Sequence, residues 1–512
     1  MFYVSWKKLT FLFFLANLVL IFQMYLFISN ECEPAFPIHI TSANRKSLTP
    51  STLHYHLTIV IFEFETFSHD LNSTLTTFCA LHSMIKVLII SNELPYPPLQ
   101  LPSISTCNIH LVVTRPDVTK KWQDTDPLAH IKTDYVLIIP QSIIFHKETP
   151  LDHLKFNSLS DKNFIVIPVI GEDSYYAYTC LGLDVDLKRW SLVYRHLDEN
   201  TFKCHLYQGE FAYFMKRDVL TSLNLPFEKP FQESLSIQAR IRGLRIKFED
   251  DLKLWKNSGW QPSERDEMKM ESLRKSRLAS LYWKLQIKKV TTTNDEVEWY
   301  GCKKTSSRCF PTIFNNTPSY LFENKWTPPC CLENLRKTAR HVFSVLEKCG
   351  TRYWLEGGSL LGAVRNSDII PWDFDVDLGI YQEDINKCPL LSYATKQAVK
   401  DEEGYVWEKA IEGEFLRVQY SETNRVHVDL FPFYPKNGIM TKQTWFHDHP
   451  QDKEFPEAFL KPLIKIPFVG WQAYAPANIT QFLEYKFGKG VIDNPQYPNP
   501  NLLSYPSSKE SE

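Results

Sequence analysis

A chain of 512 residues, 44 % hydrophobic and 14 % aromatic, is too long for one ordinary core and too apolar to be mainly disordered, so two to three domains are expected. Its formal net charge of −2 supplies no general attraction to nucleic acid, and no segment alternates basic with aromatic residues.

In chain order, the first feature is Leu9 to Ser29, uncharged throughout and preceded by Lys7 and Lys8. About 20 such residues span a bilayer, and the basic flank places residues 1–8 on the cytoplasmic side. The segment is longer than the apolar part of a cleaved signal and lacks a small-residue cleavage site, so 9–29 reads as an uncleaved transmembrane signal-anchor, followed by a stalk at 30–54. The remainder then belongs in the secretory lumen, where disulfides among the eleven cysteines persist. Asn72, Asn315 and Asn478 head glycosylation sequons that suit this compartment. Cys32, just past the anchor, is placed either to cross-link two chains into a homo-oligomer or to stay free.

Residues 55–290 read as an α/β domain. HLTIVIFEF, IKVLIIS, Ile109–Val113, YVLIIP and NFIVIPVI are strand-like, and Leu71–Met84 is helix-like. Short β-rich runs separated by helical lengths predict a parallel sheet with the rhythm of a nucleotide-sugar glycosyltransferase domain. Where such a domain carries acidic metal ligands, this chain has Pro140, Gln141 and Ser142. The domain is therefore read as a stem without a second active site. Cys180 and Cys204 bracket one segment of it and are candidates for a disulfide, although spacing cannot fix connectivity. Glu264 to Lys289 reads as a solvated charged helix, and the polar TTTNDE after it marks the start of a second domain, 291–512.

That second domain holds the chemistry, in YWLEGGSLLGAVRNSDIIPWDFDVDLGIY. Gly357, Gly358 and Ser359 lie between a strand-like and a helix-like run. Glycines there let the backbone approach a ligand, and the helix N-terminus offers N–H groups to an anion such as a donor phosphate. Asp373, Asp375 and Asp377 alternate with Phe374, Val376 and Leu378, which in a strand sets three carboxylates on one face. Like charges so placed repel unless a cation intervenes, and hard oxygen ligands select Mg²⁺ or Mn²⁺. Asp429, in HVDLFPF, is a lone acid in an apolar strand and joins the set as general base or further ligand. A Gly-Gly-Ser turn, an Asp-x-Asp strand and a later strand aspartate together describe a nucleotidyltransferase-like, mixed-sheet α+β domain. Cys302, Cys309, Cys330 and Cys331 crowd into one loop, 302–331, where zinc and disulfides are equal alternatives on spacing.

WLEGGSLLGAVR, IIPWDFDVDLGIY, HVDLFPFYPKNG and FGKGVIDNPQYPNP resemble the fukutin-related protein family, in the wider group of fukutin and the bacterial LicD phosphocholine transferases. The similarity runs through 299–500 and more loosely upstream. The resemblance implies a Golgi-membrane, single-pass type II enzyme that transfers ribitol 5-phosphate from CDP-ribitol to the phosphorylated O-mannosyl glycan of α-dystroglycan, alongside fukutin and other Golgi glycosylation enzymes. It also implies structural Zn²⁺ on Cys302, Cys309, Cys330 and Cys331, and Arg308 in the same loop is a candidate contact for an acceptor phosphate. Two other readings stand beside this one: a CDP-donor transferase for glycerol phosphate or phosphocholine, and a non-catalytic glycan-assembly protein.

Overall fold

The computed structural model describes residues 53–495 apart from 83, 96–97, 100–106, 117–118, 148–150, 172–177, 198–202, 308–312, 315–316 and 447–448. The signal-anchor, the cytoplasmic tail and nearly all of the stalk lie outside the described residues. So do Arg308, Cys309 and Asn315.

In the first half, β1 (Leu57–Ile61), β2 (Lys86–Ser91), β3 (Ile109–Val113) and β4 (Tyr135–Ile138) pair in parallel in the order β3-β2-β1-β4. The helix α1 (Leu71–His82) connects β1 to β2. A wholly parallel sheet is not what forms. β6 (Phe211–Lys216) enters antiparallel between β4 and β5 (Asn163–Ile170), which makes the nine-stranded sheet mixed. Both faces are covered: Leu57, Ile59 and Ile61 enter one core while Val60 and Phe62 enter the other. Burial on both faces is why these strands read as unbroken apolar runs.

Cys180 and Cys204 stand as a disulfide with a Cα–Cα distance of 5.4 Å, and Cys79 pairs with Cys107, a link that spacing did not suggest. A smaller five-stranded sheet spans the expected domain boundary. Strand Lys289–Thr291 pairs with Ser191–His196, and Val297–Trp299 pairs with Lys289–Thr291. Strand pairing in this sheet therefore continues to Trp299. The described residues all fall within one compact unit.

The second half is built on α2 (Pro329–Cys349). Leu332, Leu335, Ala339, Val342, Phe343 and Leu346 form its buried stripe, Pro329 opens it, and Gly350 (φ 67°) closes it in the left-handed conformation. Next come β7 (Tyr353–Leu355), α3 (Gly357–Asn366), β8 (Asp375–Tyr381), β9 (Val406–Lys409), β10 (Leu416–Gln419), β11 (His427–Lys436) and α4 (Ile479–Phe487). The sheet order is β7-β8-β11-β10-β9, with β8 and β11 parallel and the neighbouring pairs antiparallel. Trp354 lies flat over Gly379, where a Cβ would come within 2.2 Å of the indole. Only glycine leaves room for that ring.

Among the described residues no helix is long and apolar enough to cross a membrane. This overturns the expected placement as a single-pass type II protein of the Golgi membrane. Asn72 is exposed on α1, and Asn478 is exposed at the N-cap of α4, where its side chain accepts from Gln481 N at 3.1 Å.

Candidate active site

The register sets the site. On β8 and β11, Asp375 lies beside His427 and Asp377 beside Asp429, while β10 sets Arg417 opposite Asp429. Because strand side chains alternate, these five share a face, and Val376, Leu378, Val428 and Leu430 fill the core behind them.

Asp373 is not on that face as expected. The strand begins at Asp375, since its partner β11 begins at His427 and offers Asp373 no rung. Asp373 sits instead in the turn after Pro371 and Trp372, with its N–H donating to Ile370 O at 2.9 Å and its Oδ1 accepting from Phe374 N at 3.0 Å. Its carboxylate still lies close enough to Asp375 for the two charges to interact, and an ideal Cβ on Gly358 would lie 2.9 Å from its Oδ2. Gly357, at φ 52°, backs Asp377 in the same way at 3.7 Å. The two glycines thus make room for the aspartates as well as for a ligand.

Burial raises the pKa of all three aspartates. Asp375 adds to the rise at Asp373, Asp375 and Asp429 add to it at Asp377, and His427 pulls Asp375 partly back. Desolvated carboxylates crowded together call for a cation. No three of them bring ligand oxygens within 4.8 Å of one another; among the described residues only Glu249, Asp250 and Asp251 do so, and there Lys155 already pairs with Glu249 and Asp251 at 2.8 Å. The active-site donors nevertheless fit Mg²⁺ or Mn²⁺, ions that are commonly held by one or two carboxylates plus substrate phosphate.

Two expected roles change. Ser359 is buried, and its Oγ accepts from Asp377 N at 2.9 Å. The hydroxyl therefore positions the head of β8 rather than facing a phosphate. Both oxygens of Asp429 accept from Arg417, at 2.8 and 3.0 Å, in a bidentate pair. That engagement favours a ligand or electrostatic role over a general base. Burial of Arg417 opposes its charge, but the Asp429 pair outweighs this and holds the guanidinium ionised. His427 Nδ1 lies 3.0 Å from Arg425 O, and its Nε2 lies 3.9 Å from Asp429 Oδ2.

The acidic face opens into a cleft of about 400 Å³ walled by Phe374, Phe415, Phe431, Phe446 and Phe487. Lys442 lies at its far side, paired with Asp452 at 2.8 Å and 4.2 Å over the Phe431 ring. Glu356, the N-cap of α3, takes Trp354 Nε1 at 2.8 Å and the buried amine of Lys486 at 2.9 Å, tying α4 to the glycine turn. Arg365 donates to the carbonyls of Val491 and Ile492 and belongs to the scaffold. Arg417, Lys442 and Glu356 were missed in sequence. Arg417 alone left a signal there, as a single charge among apolar residues in FLRVQ.

The cysteine loop differs from its expected form. Cys302 and Cys330 are joined as a disulfide with a Cα–Cα distance of 5.6 Å, and Cys331 is disulfide-bonded as well. Cysteines joined in this way have no thiolate for zinc, so the four-ligand set is not what these residues display. Cys349 and Cys388 form a further pair. Lys304 Nζ donates to Glu403 O at 2.6 Å, Lys304 O accepts from Ser421 Oγ at 2.7 Å, and the ammonium lies over Tyr405 at 4.0 Å. The loop is thereby fixed to the sheet edge.

Two family models match the chain: one described as LicD/FKTN/FKRP, nucleotidyltransferase domain, over residues 350–478, and one described as Fukutin-related protein stem domain, over residues 43–293. The mouse protein named Ribitol 5-phosphate transferase FKRP is 43 % identical over 461 residues, which covers 89 % of this chain and 91 % of its own. The chain belongs to the fukutin-related protein family. The human FKRP relative is 42 % identical over 456 residues, covering 88 % and 90 %. Outside FKRP, the human Ribitol-5-phosphate transferase FKTN is 28 % identical over 165 residues, 30 % of this chain and 33 % of its own.

Proposed function

We propose that this chain is a ribitol 5-phosphate transferase that takes its donor as CDP-ribitol, releases CMP, and acts on the phosphorylated O-mannosyl glycan of α-dystroglycan, with fukutin as a co-acting enzyme. Identity of 43 % across nine-tenths of the chain supports the ribitol phosphate transfer. The observation that carries the reaction class is the half-buried acidic face of Asp375 and Asp377 with the buried Asp429, completed by Asp373 beside the glycine turn.

In this reading Asp375 and Asp377 hold a divalent cation, with Asp373 as ligand or close support. An ion held by these carboxylates would supply positive charge for the donor pyrophosphate and for the departing CMP. Gly357 and Gly358 let the backbone approach the donor phosphates. The aromatic wall of the cleft, Phe415, Phe431 and Phe446, suits a planar base, and Lys442 faces it. Arg417 holds Asp429 in place beside Asp377. His427 lines the cleft with its Nε2 3.9 Å from Asp429 Oδ2, and we assign it the proton of the attacking hydroxyl. Arg308 stays assigned to the acceptor phosphate. Cys302, Cys330 and Cys331 act as a disulfide clasp on the loop and, with their thiols reduced, would join Cys309 as a zinc set. About one zinc per chain in native protein supports the metal, and none supports the disulfide clasp.

The test incubates purified chain and phosphorylated acceptor with CDP-ribitol, CDP-glycerol or CDP-choline, in Mg²⁺ or EDTA. CMP release with CDP-ribitol, abolished by EDTA, is expected. Preference for another donor would replace the substrate, and silence with every donor would end the enzymatic reading.

A further inference from the structure

The geometry points to the stem as a working part of the active site: its turn 186–190 positions the Asp373 carboxylate through Trp190, Trp326 and Thr327. This rests on the reading of the aspartates as the cation site.

The path is continuous in hydrogen bonds. Trp190, in the turn between strands Thr179–Asp186 and Ser191–His196, is a stem residue whose buried side chain belongs to the core of the second half. It adopts φ 56°, a conformation that non-glycine residues rarely take and that surrounding contacts must sustain. Its indole Nε1 donates to Trp326 O at 2.7 Å, and Trp326 N donates back to Lys188 O at 2.9 Å. The Arg189 guanidinium covers the Trp326 ring at 4.8 Å, and the Lys325 ammonium covers the Trp190 ring at 4.6 Å. Two reciprocal hydrogen bonds with cations over both rings form a built clasp between the halves.

The next residue carries the constraint to the site. Thr327, 3 % exposed, donates its N–H to Pro371 O at 3.1 Å and its hydroxyl to Asp373 O at 2.6 Å. Tyr320 OH lies 2.8 Å from that hydroxyl and donates to Trp372 O at 3.4 Å. Three successive carbonyls of the turn that carries Asp373 are thus held from one side. From the other, Gly358 allows the carboxylate only the space a missing Cβ leaves. Asp373 has no ladder partner of its own, so these contacts fix it where the sheet does not. Thr327 and Trp190 are positioning residues. Neither touches substrate.

Calorimetric titration of Mn²⁺ into the intact chain, without substrate, reads the effect directly, with thermal melting alongside. Thr327→Val keeps shape and removes the hydroxyl. It should weaken Mn²⁺ about 10-fold or more, as loss of a group supporting a metal ligand does, and Thr327→Ser should restore it. Trp190→Phe should weaken Mn²⁺ in the same direction, and the double variant Trp190→Phe/Thr327→Val should bind no worse than Thr327→Val alone, because both act through one path. Unchanged Mn²⁺ affinity in Thr327→Val, with Asp375→Asn abolishing binding, would overturn the positioning role while leaving the aspartate site intact. Unchanged binding in Asp375→Asn would overturn both.

Discussion

Replacing Gly358 by alanine adds a methyl group 2.9 Å from Asp373 Oδ2, where ordinary contact begins near 3.4 Å. The carboxylate must retreat by about 0.5 Å, whereas a metal–ligand distance tolerates about 0.2 Å. Stability should move the other way. Gly358 lies within α3 at an ordinary φ, where alanine is favoured over glycine by roughly 0.4–1 kcal/mol, and the clashing atom is the end of a side chain that can yield. The expected outcome is a melting temperature unchanged or slightly raised, with CMP release reduced on the order of 10–100-fold and a higher Mg²⁺ requirement. Turnover across a Mg²⁺ titration, measured beside a thermal melt, separates the two effects. Wild-type turnover and Mg²⁺ dependence in a well-folded Gly358→Ala protein would refute the claim that Asp373 supports the cation.

Arg417→Met removes the partner of a buried carboxylate that faces Asp377, and breaking such a pair costs roughly 3–5 kcal/mol, here about 3 because Arg417 keeps some exposure. Its melting temperature in EDTA should fall, with Mg²⁺ recovering more of the loss than it adds to wild type; an unchanged melt would contradict the pairing. Gly379→Ala drives a Cβ into Trp354, a ring boxed in by Tyr381, Phe433 and Phe455, and should cost at least the 1–3 kcal/mol typical of overpacking, read from denaturant unfolding. Burial alone would raise Asp384, but its hydrogen bonds to Arg352 and Lys387 outweigh that and hold it at about 2, below its usual 3.8. A depressed carboxyl stabilises the fold above the unfolded value and loses that contribution as pH falls through the folded one. Asp384→Asn should therefore cost on the order of 1 kcal/mol at pH 7, after screening at the half-exposed Arg352, and flatten the loss of stability between about pH 4 and pH 2.

Local periodicity carried much of the site. Asp375, Asp377 and Asp429 alternate with core residues, so their shared face could be read from the chain. Asp373 fits the same alternation and still lies off the strand, because a strand begins where a partner begins, and His427 is too distant in sequence for that limit to be visible. Ser359 stands in a glycine turn typical of phosphate contact, yet its hydroxyl is taken by Asp377 N, a tertiary bond that no local pattern encodes. TTTNDE is polar and loop-like, yet the strands on either side of it pair with each other and with the strand Ser191–His196, a long-range pairing that no local pattern encodes. The stem strands were recognisable as apolar runs, while the antiparallel entry of β6 depends on pairing order, which composition does not carry.

The central claim is that the acidic face of β8 and β11 performs ribitol phosphate transfer. Asp375→Asn tests it most directly, since it keeps the size of the side chain and removes one charge from the cluster. CMP release from CDP-ribitol should fall by at least two orders of magnitude at saturating Mg²⁺, with a melt at or above that of wild type in EDTA, because relieving repulsion among desolvated carboxylates stabilises the cation-free state. Full turnover in a folded Asp375→Asn protein would contradict the account.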